Sequence, residues 1–251
     1  MIVLRSEDEI SSMRSAGKII KATFEVLRKR VAPGVRTVEL DTVARQEILK
    51  LNGIPAFKGI RVGSRSYPAN ICASVNEVVV HGIPSERVLR EGDILSIDIG
   101  VKFREYYADA AITVGVGRIS EEANELLSVT ETSLAKGIEK ATVGSRLGDV
   151  SAEIQKYVED HGFSVVRDLV GHGIGSALWE DPQIPNYGKP GTGPRLAAGM
   201  VLAIEPMVNA GTYEVETLAD GWAVVTCDRK LSAHFEHTIV IREGGAEILT
   251  A

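Results

Sequence analysis

The first fifty positions show the hydrophobic spacing of two amphipathic helices. Between Ser6 and about Arg30, apolar residues recur every three or four positions, and Ser6 is placed to cap the helix. Pro33-Gly34 interrupts this pattern, which resumes from Thr37 to about Leu51, and Asn52-Gly53 is typical of a helix end. The chain is therefore predicted to open with a helix pair.

Two strand-like runs follow. They are DILSIDIGV, which begins at Asp93, and DAAITVGV, which begins at Asp109, and the polar stretch KFREYYA separates them. This arrangement predicts an antiparallel hairpin. Because side chains alternate along a strand, Asp98 shares a face with Ser96 and not with its apolar neighbour Ile97. Helical spacing then returns from Ser120 to Lys140.

The second half of the sequence repeats the plan of the first. The segment from Gly144 to Gly162 resembles that from Gly34 to Gly53, and Gly199–Glu205 resembles Gly92–Asp98, with an acid at the end of each strand. We therefore predict an α+β fold with a single catalytic domain over residues 1–251. Two pseudo-symmetric halves, about 1–118 and 119–251, would surround an antiparallel sheet with helices on the outside and face each other across a cleft.

Composition narrows the functional classes. With 44% hydrophobic residues and a formal net charge of −6, the chain can bury a core but offers no basic field for nucleic acid. No signal peptide or long apolar run is present, so we expect a cytoplasmic protein that does not bind membranes. Cys72 and Cys227 have neither a disulfide framework nor C-x-x-C spacing.

Four acids and one histidine are candidate metal ligands. Each acid alone is also consistent with a solvent-exposed strand residue, and a lone histidine is usually structural. His172 lies between glycines in GHGIG, which permit close backbone approach. Oxygen-rich sets suit two divalent ions such as Mn, Fe(II) or Co, which activate water for hydrolysis. The five residues are Asp98, Asp109, His172, Glu205 and Glu236.

Six segments in order resemble the methionine aminopeptidase family along almost the whole chain: VNEVVVHGIP, LSIDIG, YADAAITV, GHGIG, AIEP and FEHTIVI. The resemblance is to the bacterial, type I branch. It implies the pita-bread fold and two divalent ions held by the five residues named above. It also implies that Glu205 acts as general base and that the reaction is removal of the initiator methionine from nascent polypeptides.

The resemblance also assigns substrate-binding residues. His81 matches a histidine that hydrogen-bonds the substrate, and the methionine pocket maps onto Tyr67, Cys72 and Trp222. Leu178 stands where many members carry Phe, and Ser64 or a neighbour stands where they carry a second pocket tyrosine. Ordinary core roles remain alternatives for these residues.

One position departs from the family pattern. In GHGIGSALWEDP, Trp179 replaces a histidine that contacts the substrate, and an indole N–H can donate a hydrogen bond but cannot transfer a proton. Two alternatives to the leading function therefore stay open. They are a pita-bread peptidase of altered specificity and a weakly active or nonenzymatic peptide-binding relative. We expect a monomer that works transiently near the ribosome.

Overall fold

The computed structural model describes residues 2–251, which contain four long helices. They are α1 (Glu7–Arg28), α2 (Thr37–Lys50), α3 (Glu121–Lys140) and α4 (Leu147–Asp160). The predicted helix pair and the helix after Ser120 are confirmed. Within residues 2–251, no helix combines the length and apolar character needed to cross a membrane.

Local chemistry fixes the start of α1. The Ser6 side chain accepts a hydrogen bond from the Glu9 backbone, and the Ser6 backbone N–H donates to the Glu9 carboxylate at 2.7 Å. This reciprocal capping box satisfies two N–H groups that a helix start leaves without partners. Ser120 caps α3 in the simpler way, accepting from the backbone of Ala123.

The described part of the chain also contains seventeen strands, which form four sheets. In chain order the strands are β1 (Ile54–Pro55), β2 (Arg61–Val62), β3 (Arg65–Ser66), β4 (Cys72–Val75), β5 (Val78–Val80), β6 (Ile94–Phe103), β7 (Tyr106–Gly115), β8 (Ser164–Val165), β9 (Val170–Gly173), β10 (Glu180–Pro185), β11 (Val201–Ile204), β12 (Met207–Asn209), β13 (Val215–Thr217), β14 (Val224–Thr226), β15 (Ser232–His234), β16 (Glu236–Arg242) and β17 (Gly245–Ile248).

The largest sheet is antiparallel and has nine strands. Its order is β1-β6-β7-β16-β11-β9-β10, with β4 also paired to β6 and β17 to β16. Smaller sheets join β15, β12 and β8, then β13, β14 and β5, and finally the short hairpin β2-β3. Helix α1 packs across β6 and β7 with α2 on α1, whereas α3 packs on α4 and on strands of the second half. The predicted antiparallel sheet with outer helices is confirmed.

The apolar core fills the space between helices and sheet. On β6, Leu95, Ile97 and Ile99 are fully buried and join Ile20 and Leu27 of α1 in one cluster. The opposite face of β6 carries Ser96, which is buried, and Asp98, which lines the cavity described below. Asp98 thus lies on a strand whose other face forms part of the core.

The hairpin of β6 and β7 is longer than the sequence predicted. The polar stretch KFREYYA is split between the two strands, so that only Arg104 and Glu105 remain in the turn. Arg104 adopts a left-handed φ of 53°, which closes this tight connection. Pairing therefore runs from Ile94 with Gly115 to Phe103 with Tyr106.

A late segment of the chain reaches back to α1. Gly17 is required there, because a Cβ at this position would lie 2.0 Å from the carbonyl oxygen of Leu249. Leu249 and Thr250 are both buried. The segment after β17 is thus packed directly against the helix that begins the fold.

The two halves share a pattern of backbone contacts. The bridge of Arg36 with Val88 at the start of α2 has a counterpart in that of Arg146 with Arg195 at the start of α4. Likewise, the N–H of a glycine before each of these helices donates to a leucine carbonyl, at 2.8 and 2.9 Å. On these parallels we propose that residues 1–251 form one domain built from the halves 1–118 and 119–251.

Candidate active site

The register of the main sheet brings two acids to opposite sides of one small residue. Ala111 on β7 is paired with Asp98 on β6 and with Glu236 on β16. Asp109 lies two residues before Ala111 and therefore on the same face of β7. It is paired with Gly100, so Asp98 and Asp109 are diagonal neighbours across the hairpin and not a directly opposed pair. Three carboxylates converge around Ala111.

His172 and Glu205 enter from the neighbouring strands. His172 is paired with Ala203 on β11, and Glu205 directly follows that strand. The Nε2 atom of His172 lies 3.5 Å from Oδ2 of Asp109 and 3.6 Å from Oε1 of Glu205. Its Nδ1 atom lies 2.9 Å from the Gly173 carbonyl, and this contact orients Nε2 toward the acids.

Glycines on both sides of His172 let three strands approach closely. A Cβ at Gly173 would lie 2.1 Å from the Asp181 carbonyl oxygen, and one at Gly171 would lie 2.4 Å from that of Ala203. No side chain fits at these distances. The GHGIG sequence is thus explained by strand packing, which brings the imidazole to the acids.

Electrostatics make this cluster costly without a cation. Burial raises the pKa of Asp98 and Glu236, and it raises that of Glu205 to about 8. Burial lowers the pKa of His172, but the carboxylates of Asp109 and Glu205 outweigh it and raise the value to about 9. Like charges this close repel unless a proton or cation separates them.

The donor atoms fit divalent metal ions. Ligand atoms of Asp109, His172 and Glu236 lie within 4.8 Å of one another. Oδ1 of Asp98 and Oε1 of Glu236 are buried without a hydrogen-bond partner among residues 2–251. A buried acceptor with no partner is unfavourable, and coordination would remove that cost. The residues present therefore suit the oxygen-rich coordination that divalent ions prefer.

A cavity of about 760 Å³ opens onto the cluster. All five candidate ligands line it: Asp98, Asp109, His172, Glu205 and Glu236. Tyr67, Cys72 and Trp222 form an apolar wall beside them, with the rings of Tyr67 and Trp222 in edge contact at 5.2 Å. The Tyr67 hydroxyl donates to backbone carbonyls at 3.0–3.1 Å, which fixes the ring. Cys72 is paired with Asp98, so the apolar wall and the acidic cluster meet at one cross-strand residue pair.

Leu178 does not line the cavity as the other predicted pocket residues do. It is buried in the apolar cluster with Tyr67 and Cys72, but it is not among the described residues that line the cavity. Its role in substrate binding stays a prediction.

His81 lines the cavity in a strained backbone conformation. Its φ of 59° is left-handed, which is uncommon for a residue with a side chain. Burial lowers the pKa of the imidazole, although a hydrogen bond with the backbone of Trp222 acts in the opposite direction. Burial therefore favours the neutral ring, and the contact with Trp222 holds one side of it.

Trp179 stands at the mouth of the cavity and is 51% exposed. Its position is set by the next residue, Glu180, whose carboxylate accepts from Arg5, from the Ser176 hydroxyl and from the Ala177 backbone. Glu180 thus fixes the backbone next to Trp179, whose indole lines the cavity.

The sequence reasoning missed the hairpin β2-β3. Ile60 and Val62 line the cavity at this hairpin, whereas Ser64 lies exposed in its turn. The Arg65 side chain crosses Gly221, where a Cβ would clash with the guanidinium. The turn-forming pair Gly63-Ser64 was the available signal.

Three histidines had no assigned role. The His161 ring stacks on Tyr157 at the end of α4. The Nδ1 atom of His237 lies 2.8 Å from the Thr250 hydroxyl, and burial lowers its pKa to about 4. His234 is buried beside Glu205, and burial lowers its pKa to about 3. Only tertiary structure brings His234 to the acids.

Comparison with known proteins gives a consistent result. The chain is 56% identical over 250 residues to a methionine aminopeptidase of Clostridium perfringens, covering 100% of this chain and 99% of that protein. It is 55% identical over 250 residues to methionine aminopeptidase 1 of Bacillus subtilis, with the same coverage. The crystal structure of methionine aminopeptidase from Thermotoga maritima superposes with a TM-score of 0.96 at 49% identity, covering 100% of this chain and 99% of that one.

More distant structures share the fold alone. Prolidase from Pyrococcus furiosus superposes with a TM-score of 0.79 at 21% identity, and 99% of this chain covers 65% of that one. The pita-bread fold expected from the sequence resemblance is confirmed. Residues 11–243 match metallopeptidase family M24. The chain therefore belongs to metallopeptidase family M24, within which it is similar over its full length to bacterial methionine aminopeptidases.

Proposed function

We propose that the protein hydrolyses the peptide bond after an N-terminal methionine and so removes the initiator residue from newly made polypeptides. One observation carries this proposal: the acidic cluster and the apolar wall of Tyr67, Cys72 and Trp222 share one cavity. A thioether side chain suits an apolar pocket with small polar groups. The scissile bond of a methionine seated there would lie beside the carboxylates.

Asp98, Asp109, His172, Glu205 and Glu236 would hold two divalent ions. Such ions lower the pKa of water and polarise the carbonyl of a peptide bond. We infer two ions, and not one, from the presence of five candidate ligands and from the family resemblance. The choice among Mn, Fe(II) and Co stays a prediction from the oxygen-rich donors.

The chain's own side chains would position the substrate and move protons. Glu205 would accept a proton from the attacking water and deliver it to the leaving amine, as a general base and then a general acid. His81, anchored to the Trp222 backbone, would present its other ring nitrogen to the substrate amide.

Trp179 supports a second candidate, a peptidase with altered preference for the residue after methionine. Its indole is 51% exposed at the cavity mouth, where the following residues of a substrate would lie. A ring there can stack on a side chain or narrow the opening. It cannot supply the proton that the corresponding histidine of the family could.

The decisive assay compares hydrolysis of Met-Ala-Ser, Leu-Ala-Ser and Ala-Pro-Ala by metal-free protein reloaded with Mn, Fe(II) or Co. We expect preferential release of methionine. Failure to release it with any metal, despite stoichiometric binding, would favour a peptide-binding protein. Preferential cleavage of Ala-Pro-Ala would favour a peptidase acting near proline.

Asp98→Asn tests the metal site in the same assay. Because one ligand charge is lost, bound metal and peptidase activity should fall together. Asp8→Asn is the matched control, since Asp8 is exposed on the first turn of α1. Unchanged activity in Asp98→Asn would rule out the proposed site. A cytosolic location, a monomeric state and proximity to the ribosome stay predictions from the sequence.

A further inference from the structure

His234 is a buried histidine whose direction is set by strand pairing. It lies on β15 opposite Met207 of β12. Its backbone N–H donates to the Thr113 hydroxyl at 2.9 Å, and its carbonyl accepts from the same hydroxyl at 2.8 Å. The Ser96 hydroxyl lies 2.8 Å from that of Thr113 and completes the anchor. With the backbone held on both sides, the imidazole has little freedom to turn away.

The imidazole has an unmet hydrogen-bonding need. The His234 side chain is 2% exposed, and its Nε2 atom has no partner among residues 2–251. The nearest acidic atom is Oε2 of Glu205, at 3.7 Å. A buried polar atom without a partner costs about 1–3 kcal/mol, so we expect the site to supply a hydrogen-bond partner for Nε2.

Glu205 is flanked by imidazoles at both of its oxygens. Its Oε1 lies 3.6 Å from Nε2 of His172, and its Oε2 lies 3.7 Å from Nε2 of His234. His172 belongs to the compact group of ligand atoms, whereas neither Glu205 nor His234 does. Oε1 therefore faces the candidate metal ligands, while Oε2 faces a histidine that stands outside them.

We propose that His234 is a positioning residue for Glu205, donating from Nε2–H to Oε2 so that Oε1 stays directed at the metal ligands. The terminal torsion of a glutamate side chain is broad, so a rotation of the carboxylate shortens the 3.7 Å separation without a change of rotamer. Metal-binding carboxylates generally need such outer partners to fix their orientation. This inference rests on the proposed role of Glu205 as a ligand.

Cobalt binding to the metal-free protein tests the proposal without using activity. His234→Leu removes the donor, whereas His234→Gln keeps an N–H donor of similar reach. We expect His234→Leu to weaken Co(II) affinity about 10–100-fold and to alter the visible spectrum of the bound ion. His234→Gln should restore both to near the wild-type values. Wild-type affinity and spectrum in His234→Leu would overturn the proposal, as would equal losses in the Leu and Gln variants.

A double-mutant cycle separates a positioning role from general damage to the fold. In a Glu205→Ala background no carboxylate remains for His234 to orient, so His234→Leu should cause no further loss of Co(II) affinity. The same loss in both backgrounds would overturn the proposal. Wild-type Co(II) binding by Glu205→Ala itself would instead remove the ligand role of Glu205, and this inference with it. Loss in Glu205→Ala but none in His234→Leu would overturn this inference alone.

Discussion

Arg5 fixes the rim of the cavity from outside, which makes Arg5→Ala an informative perturbation. Its side chain is 6% exposed and pairs with Glu180, whose side chain is 16% exposed. The guanidinium also contacts Glu9 at 3.3 Å and lies against Gly175, where a Cβ would be 2.2 Å from Nη2. Removing Arg5 would leave the Glu180 carboxylate partly buried without its cation.

The expected loss in the free energy of unfolding depends on the hydrogen bonds and the water contact that Glu180 retains without Arg5. Breaking a fully buried ion pair costs about 3–5 kcal/mol. Glu180 retains hydrogen bonds from Ser176 and Ala177, and some water reaches it. We therefore expect Arg5→Ala to lower the free energy of unfolding by about 2–3 kcal/mol. Because Glu180 fixes Trp179, the KM for methionyl peptides should also rise.

Urea unfolding of metal-free protein at neutral pH measures the effect. Lys102→Ala is the control, because its partner Glu105 is 83% exposed and such pairs contribute less than about 1 kcal/mol. Adding Glu180→Gln to Arg5→Ala should recover part of the loss, since the unpaired charge disappears. A change below about 1 kcal/mol in Arg5→Ala would refute the reasoning.

Three further predictions concern the site and the fold. Trp179→His should raise turnover of Met-Ala-Ser about tenfold, which is less than the roughly 10²–10³ that a fully enclosed donor contributes, because the position is half exposed. A slower variant would show that the tryptophan belongs to a competent site. Chelation should lower the unfolding temperature measured by calorimetry by roughly 5–11 °C relative to protein with Co(II) at 100 times its Kd, and an unchanged temperature would contradict metal binding. The Ser6 backbone N–H holds the pKa of Glu9 down at about 2, so this carboxylate stabilises the fold above its unfolded pKa and loses that contribution as pH falls toward 2. Glu9→Gln should thus cost about 1–2 kcal/mol at pH 7, with the difference from wild type shrinking in acid unfolding curves and no such convergence if the cap is unimportant.

The helices and their caps could be predicted because their signals are local. Ser6 and Glu9 lie three residues apart, and the chemistry of the capping box needs nothing else. The antiparallel sheet with outer helices could be predicted from the alternation of apolar and polar residues along the strands and from the segments that the two halves share. The ends of β6 and β7 did not, because Lys102 and Tyr107 are polar or amphipathic residues that pair within a strand without changing the hydrophobic pattern.

The candidate ligands could be identified from the sequence, but their arrangement could not. The diagonal placement of Asp98 and Asp109 depends on a register that two-residue periodicity does not determine. The contact of His234 with Glu205 needs β12, β15 and the end of β11 to meet, which no short motif records. The hairpin at Val62 was missed because two-residue strands carry too little pattern.

The packing of Leu249 on Gly17 has a consequence for biosynthesis. Helix α1 cannot complete its contacts until the segment after β17 has emerged from the ribosome. Glu236 and His237 emerge shortly before that segment, and His237 is then held by Thr250. The first hairpin can form early in translation, but the cavity wall is incomplete until Glu236 has also emerged. A nascent copy of this protein therefore lacks the complete set of candidate ligands until these residues have left the ribosome.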